Sequence, residues 1–134
     1  MDFSSILTRE TCAKCRNCCV FKKESLIYVP EGIGVKEQSD GMFVCEHCRD
    51  SGCALGKNKP MECAAWPFSI AKRGNELLLV LERSCKELKN TETVKKVAQE
   101  TIAPPLLEYS KRHLNAIRAY NELLQAELFQ VGIL

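Results

Sequence analysis

The chain has 134 residues, 46% hydrophobic and 27% charged, which suits one globular domain and excludes a wholly disordered chain. Its net charge of +2 with His neutral is too small to drive nucleic-acid binding by electrostatics alone. The abnormal number is nine cysteines, an odd count that fits complete disulfide pairing poorly.

In chain order, Met1 to Glu10 carries neither a basic n-region nor an apolar run of signal-peptide length. No segment approaches the length of a membrane span. A reducing, cytoplasmic setting is therefore expected, where clustered cysteines serve metal or redox chemistry. The first cluster follows at once as Cys12-Ala-Lys-Cys15-Arg-Asn-Cys18-Cys19. Val20 to Val29 reads as a short strand, and Gly32, Gly34, Ser39, Asp40 and Gly41 mark a loop. A second cluster, Cys45-Glu-His-Cys48-Arg-Asp-Ser-Gly-Cys53, leads to Cys63.

Trp66 to Ala71 and Glu76 to Leu81 are apolar-rich runs around Lys72-Arg73-Gly74-Asn75, the pattern of a β-hairpin. The second run lacks alternation, which suits a strand buried on both faces or a short buried helix. Cys85 closes the cysteine set. Asn90 is placed to cap a helix containing Val94, Val97, Ala98, Thr101 and Ile102. Ala103-Pro104-Pro105 breaks that pattern, and a second helix is predicted from about Pro104 to Phe129. Its stripe holds Leu107, Leu114, Ile117, Leu124 and Leu128, with Tyr120 at the edge. The expectation is an α+β fold in one domain, 1–134. A cysteine-rich metal-bound part, 12–85, has loops and a short β-hairpin and packs against a helical C-terminal pair, 90–130. The apolar end, Val131 to Leu134, makes the C-terminal helix a candidate surface for a protein partner or a homodimer.

Two residues between successive cysteines let thiolates curl around one ion, which is why Cys-x-x-Cys recurs in zinc and iron–sulfur sites. Neighbouring side chains diverge, so Cys18 and Cys19 suit different metals or different edges of one cluster. Cys12 and Cys15 with Cys45 and Cys48 make an ordinary four-cysteine zinc pairing. Soft thiolates select zinc, copper(I) or iron–sulfur over magnesium and calcium. Cys48 and Cys85 also have a plainer reading as small buried hydrophobes. His47 is read first as an exposed loop residue, and His113 as a surface residue. Lys14, Arg16, Lys22, Lys23, Arg49, Lys57, Lys59, Lys72 and Arg73 crowd the clusters; compensation of thiolate charge is expected ahead of contact with an anionic substrate or nucleic acid.

The run Cys12 to Cys19 resembles the YkgJ-like cysteine-cluster family, a zinc- or iron-chelating domain. So do Gly52-Cys53-Ala54-Leu55-Gly56, then Lys59-Pro60-Met61-Glu62-Cys63-Ala64-Ala65-Trp66-Pro67-Phe68, and finally Ser84-Cys85. The resemblance spans about Cys12 to Cys85. It implies Cys12, Cys15, Cys18, Cys19, Cys45, Cys53, Cys63 and Cys85 as metal ligands and leaves Cys48 as the extra cysteine.

The expected function is chelation of zinc, iron or an iron–sulfur cluster, in one or two centres. Two alternatives stand beside it: an iron–sulfur-dependent redox or modifying enzyme, and a zinc-stapled interaction module. The sequence offers no serine, aspartate and histidine arrangement assignable to hydrolysis. The metal ion is the expected partner; a membrane is not, and nucleic acid is disfavoured by the low charge and the lack of a stacking motif.

Overall fold

The computed structural model describes residues 3–8, 20–22, 34–49, 52–55, 58–85 and 87–134. The apolar-rich runs around Gly74 form β6 (Phe68–Arg73) and β7 (Glu76–Glu82), paired antiparallel with Phe68 opposite Leu81 and Arg73 opposite Glu76. Gly74 takes φ 61° in the turn, a backbone region that side chains with a Cβ rarely enter. The hairpin expected from the sequence is thus present, with its first strand running on through Lys72 and Arg73 into a tighter turn.

The run without alternation is a strand buried on both faces: Leu77, Leu78, Leu79, Val80 and Leu81 are all 3% exposed or less. Its neighbours explain this. The sheet order is β8–β6–β7–β9, with β8 at Arg118–Ala119 and β9 at Gln125–Ile133. On one face, Phe68, Ile70, Leu77, Leu79 and Leu81 join Val94, Ala98, Ile102 and Leu106 in the main core. On the other, Ala71, Leu78 and Val80 form a second apolar cluster against Tyr120. The helical residues of the main core recur at the four-residue spacing of a single buried stripe.

These residues lie on one continuous helical run. The helix α2 spans Glu92–Val97, a π-turn covers Ala98–Ile102, and α3 spans Ala103–Arg112. (A shorter helix, α1, covers Met61–Ala64.) The N-cap of α2 is Thr91, not Asn90: its side chain accepts the Val94 amide at 3.3 Å. Asn90 instead donates its Nδ2 to the Glu127 carbonyl at 3.4 Å. The expected break at Ala103-Pro104-Pro105 does not interrupt the run. Proline lacks the amide for an ordinary α-turn, and the wider turn before it is closed by the Ala103 amide on the Ala98 carbonyl.

The helix expected from Pro104 to Phe129 ends at Arg112, so the C-terminal part 90–130 is not a helix pair. A 3₁₀ turn at Leu114–Ala116 leads to β8, and the chain finishes as β9. Leu114, placed on the expected apolar stripe, is 62% exposed, while Ile117 and Leu128 are buried. The β9 strand pairs antiparallel with β7, with register shifts between Leu77 and Leu78 and between Leu79 and Val80. These shifts pass over Val131 and Leu128, both of which pack into the main core. Such bulges disturb the two-residue alternation by which strands are recognised.

The cysteine-bearing segments form smaller sheets. One has the order β1–β3–β2, from Val20–Lys22, Met42–Cys45 and Val35–Glu37. The other pairs β4 (Cys48–Arg49) with β5 (Gly52–Cys53). The loop expected at Gly34–Gly41 is in fact the β2–β3 hairpin, turning where Gly41 takes φ 82°. Of the strand expected from Val20 to Val29, Val20–Lys22 is a strand and the remainder lies outside the described residues. No helix among the described residues is long and apolar enough to cross a membrane.

Candidate metal centre

Four of the eight expected ligands, Cys12, Cys15, Cys18 and Cys19, lie outside the described residues. The others fall at two places in the fold. Cys45 ends β3, and Glu46 and His47 turn the chain into β4, which begins at Cys48. The His47 backbone amide donates to Cys45 Sγ at 3.4 Å. An amide aimed at sulfur favours the thiolate, the form that binds metal.

The turn is braced from both sides. Arg49 Nη1 donates to the Glu46 carbonyl at 2.8 Å and the Cys48 carbonyl at 2.9 Å. The Glu46 amide donates to the Gly34 carbonyl at 2.9 Å, and the Gly34 amide returns to Glu46 Oε1 at 3.1 Å. A Cβ on Gly34 would stand 2.8 Å from Glu46 Oε2, so a side chain there would push the Glu46 carboxylate aside. His47 Nε2 lies 3.3 Å from Glu46 Oε1, with the His47 side chain 28% exposed, so it is half-buried against Glu46 and not an open loop residue.

Cys48 stands directly opposite Cys53 in the β4–β5 ladder. Opposed residues of an antiparallel pair project to the same side, with Cβ atoms ~5 Å apart. The cysteine set aside as extra is therefore in register with an expected ligand. Cys45, Cys48 and Cys53 are all half-buried.

Cys63 and Cys85 flank the open end of the β6–β7 hairpin, which is tied by the Glu82 amide donating to the Pro67 carbonyl at 2.9 Å. Cys63 sits on α1 and is half-buried, whereas Cys85 is 4% exposed and belongs to the main apolar core. Among the described residues, no three Cys, His, Asp or Glu side chains gather closely enough to hold a metal ion. The donor set fits zinc or iron in its chemistry, as soft sulfur with an amide donor on Cys45. A complete centre requires ligands from beyond these residues.

Beside Cys63 lies a cavity with about 60 Å³ of water-accessible space, walled by α1, α3 and the edge of β6. Its polar lining includes Glu62, Glu82, Arg118 and Tyr109, and its apolar lining includes Trp66, Phe68 and Leu106. The Tyr109 hydroxyl donates to Glu62 Oε1 at 2.6 Å. Glu62 Oε2 is buried and has no hydrogen-bond partner among the described residues. Glu82 Oε1 accepts from Gln125 Nε2 at 3.0 Å and from the Ser69 hydroxyl at 3.3 Å. Burial raises the Glu82 pKa above the usual carboxylate range, against the opposing pull of those two donors and of Arg118.

Sequence reasoning missed this cavity. Its charged residues and Tyr109 stand at 62, 82, 109 and 118, at no motif spacing, and only the fold of the sheet on α3 brings them together. No family model matches the chain, and neither a curated protein nor a solved structure matches it.

Proposed function

We propose that the chain is a metal-binding protein of the YkgJ-like cysteine-cluster kind. It holds zinc, or iron as ions or as an iron–sulfur cluster, in one or two centres. The ligands are drawn from Cys12, Cys15, Cys18, Cys19, Cys45, Cys53, Cys63 and Cys85. The observation that supports this best is the Cys45-x-x-Cys48 turn, in which the His47 amide points at Cys45 Sγ at 3.4 Å. Thiolate ligation in a reducing, cytoplasmic setting is part of the same reading. A bound zinc would supply a closed structural tie between segments, and an iron–sulfur cluster would supply one-electron chemistry.

The test is anaerobic purification without added metal, followed by elemental analysis, visible absorption and sedimentation on one sample. Bound zinc or iron, reduced by Cys45→Ser, is the expected result. Iron with thiolate-to-iron charge-transfer colour favours the redox or modifying enzyme. Colourless zinc protein that self-associates favours the stapled interaction module. In that case the partner face would involve the exposed end of β9, where Ile133 is 71% and Leu134 62% exposed. A folded protein that carries no metal, or whose cysteines are disulfide-bonded by mass spectrometry, overturns the reading.

A further inference from the structure

The cavity beside Cys63 is lined by that proposed ligand as well, but its other walls have a chemistry of their own. It exists because β8 pairs with β6 only at Ala71 and Lys72, leaving the edge at Phe68–Ile70 without β8 beside it. Leu106, Tyr109 and Ser110 of α3 and Ala116 close the gap from the other side. A carboxylate oxygen buried at such a place without a donor is costly, and native proteins normally supply a partner. Glu62 Oε2 is such an atom.

The charge balance indicates what the partner is. Among the described lining residues, two carboxylates, Glu62 and Glu82, are set against one guanidinium, Arg118, an excess of one negative charge. Cys63 lines the cavity too, but among the described residues no three Cys, His, Asp or Glu side chains gather closely enough to hold a metal ion. Trp66, Phe68 and Leu106 offer apolar surface for a short hydrocarbon body.

We propose that this cavity binds a small organic cation carrying N–H donors, an alkylammonium or a guanidinium, with Glu62 Oε2 as the acceptor. The ligand's donor completes the Glu62 carboxylate, whose other oxygen is already taken by the Tyr109 hydroxyl.

Trp66 is the only tryptophan of the chain and lines the cavity, so its fluorescence reads binding directly. The protein as purified is titrated with n-propylammonium and with methylguanidinium, and with tetramethylammonium at matched ionic strength. Saturable quenching or shift by a cation with N–H donors, and none by tetramethylammonium, is the expected result. Glu62→Gln should weaken that binding by about tenfold or more, the scale of a lost hydrogen bond to a charged group. An equal response to tetramethylammonium, no saturable response, or undiminished affinity in folded Glu62→Gln overturns the proposal. If Glu62→Gln does not fold, the comparison of cations on the wild-type protein decides alone. Metal content measured on the same sample keeps this outcome separate from that of the metal reading.

Discussion

The β6–β7–β9 sheet and the cysteine-bearing hairpins stand at opposite ends of a packing scale. In β7, five consecutive apolar residues are 3% exposed or less. In β2, Val35, Lys36 and Glu37 are all exposed, and β3 is only half-buried along its length. Burying a large apolar side chain stabilises a fold by ~1.5–3 kcal/mol, so the sheet is held by what it excludes from water. The described residues of β2 to β5 offer few such side chains, and small units of this kind are commonly held by covalent or metal cross-links. Of the described cysteines, Cys45, Cys48 and Cys53 fall where hydrophobic packing is thinnest, whereas Cys63 sits on α1 beside the core residue Ala65 and Cys85 is inside the main core.

The largest expected effect attacks the strong side of that contrast. Leu79 is fully buried in the middle of β7, and Leu79→Ala should destabilise the protein by about 3 kcal/mol, read by urea unfolding. A loss well under 1 kcal/mol would show that the sheet is not the stabilising unit.

A smaller effect addresses the weak side. Chelation should raise hydrogen exchange of the Met42–Cys45 and Cys48–Arg49 amides by about tenfold, or ~1.4 kcal/mol, while β7 amides keep their protection. Equal loss in both regions would erase the contrast.

The smallest concerns pH. Burial raises the Glu82 pKa in the folded state, so this group's contribution is fully present below its unfolded value of 4.5 and lost as pH rises through the folded value. Glu82→Gln keeps an acceptor for Ser69 and Gln125 and removes the titration. Its stability relative to wild type should therefore improve between pH 4 and pH 7. A difference that is flat across that range, measured by thermal unfolding, contradicts a raised pKa at Glu82.

The sequence is legible where local signals and tertiary contacts agree. The β6–β7 hairpin is one such place, because Gly74 supplies the turn and both flanks are apolar-rich. The start of α2 is another, misplaced by a single residue because Asn90 and Thr91 are both cap-forming types. The β9 strand is the clearest failure. Leu124 and Leu128 stand four apart, as on a helix face, and the bulges at Leu128 and Val131 obscure the strand alternation. The Cys45–Cys48 turn is visible as spacing, but the opposition of Cys48 and Cys53 is not, because it depends on which short strands pair. The cavity leaves no local trace, since tertiary packing alone brings Glu62, Glu82, Tyr109 and Arg118 to one place.

The unbroken apolar run of β7 also bears on how the chain is made. One of its edges pairs with β6, which immediately precedes it, but the other pairs with β9 at the far end. During synthesis, the stretch from Arg83 to Leu124 must leave the ribosome before that second edge finds its partner. Over this interval, Leu77 to Leu81 is a β-prone, uncharged segment of the type that seeds aggregation. The charged residues Glu76 and Glu82 at its two ends act as gatekeepers against that outcome.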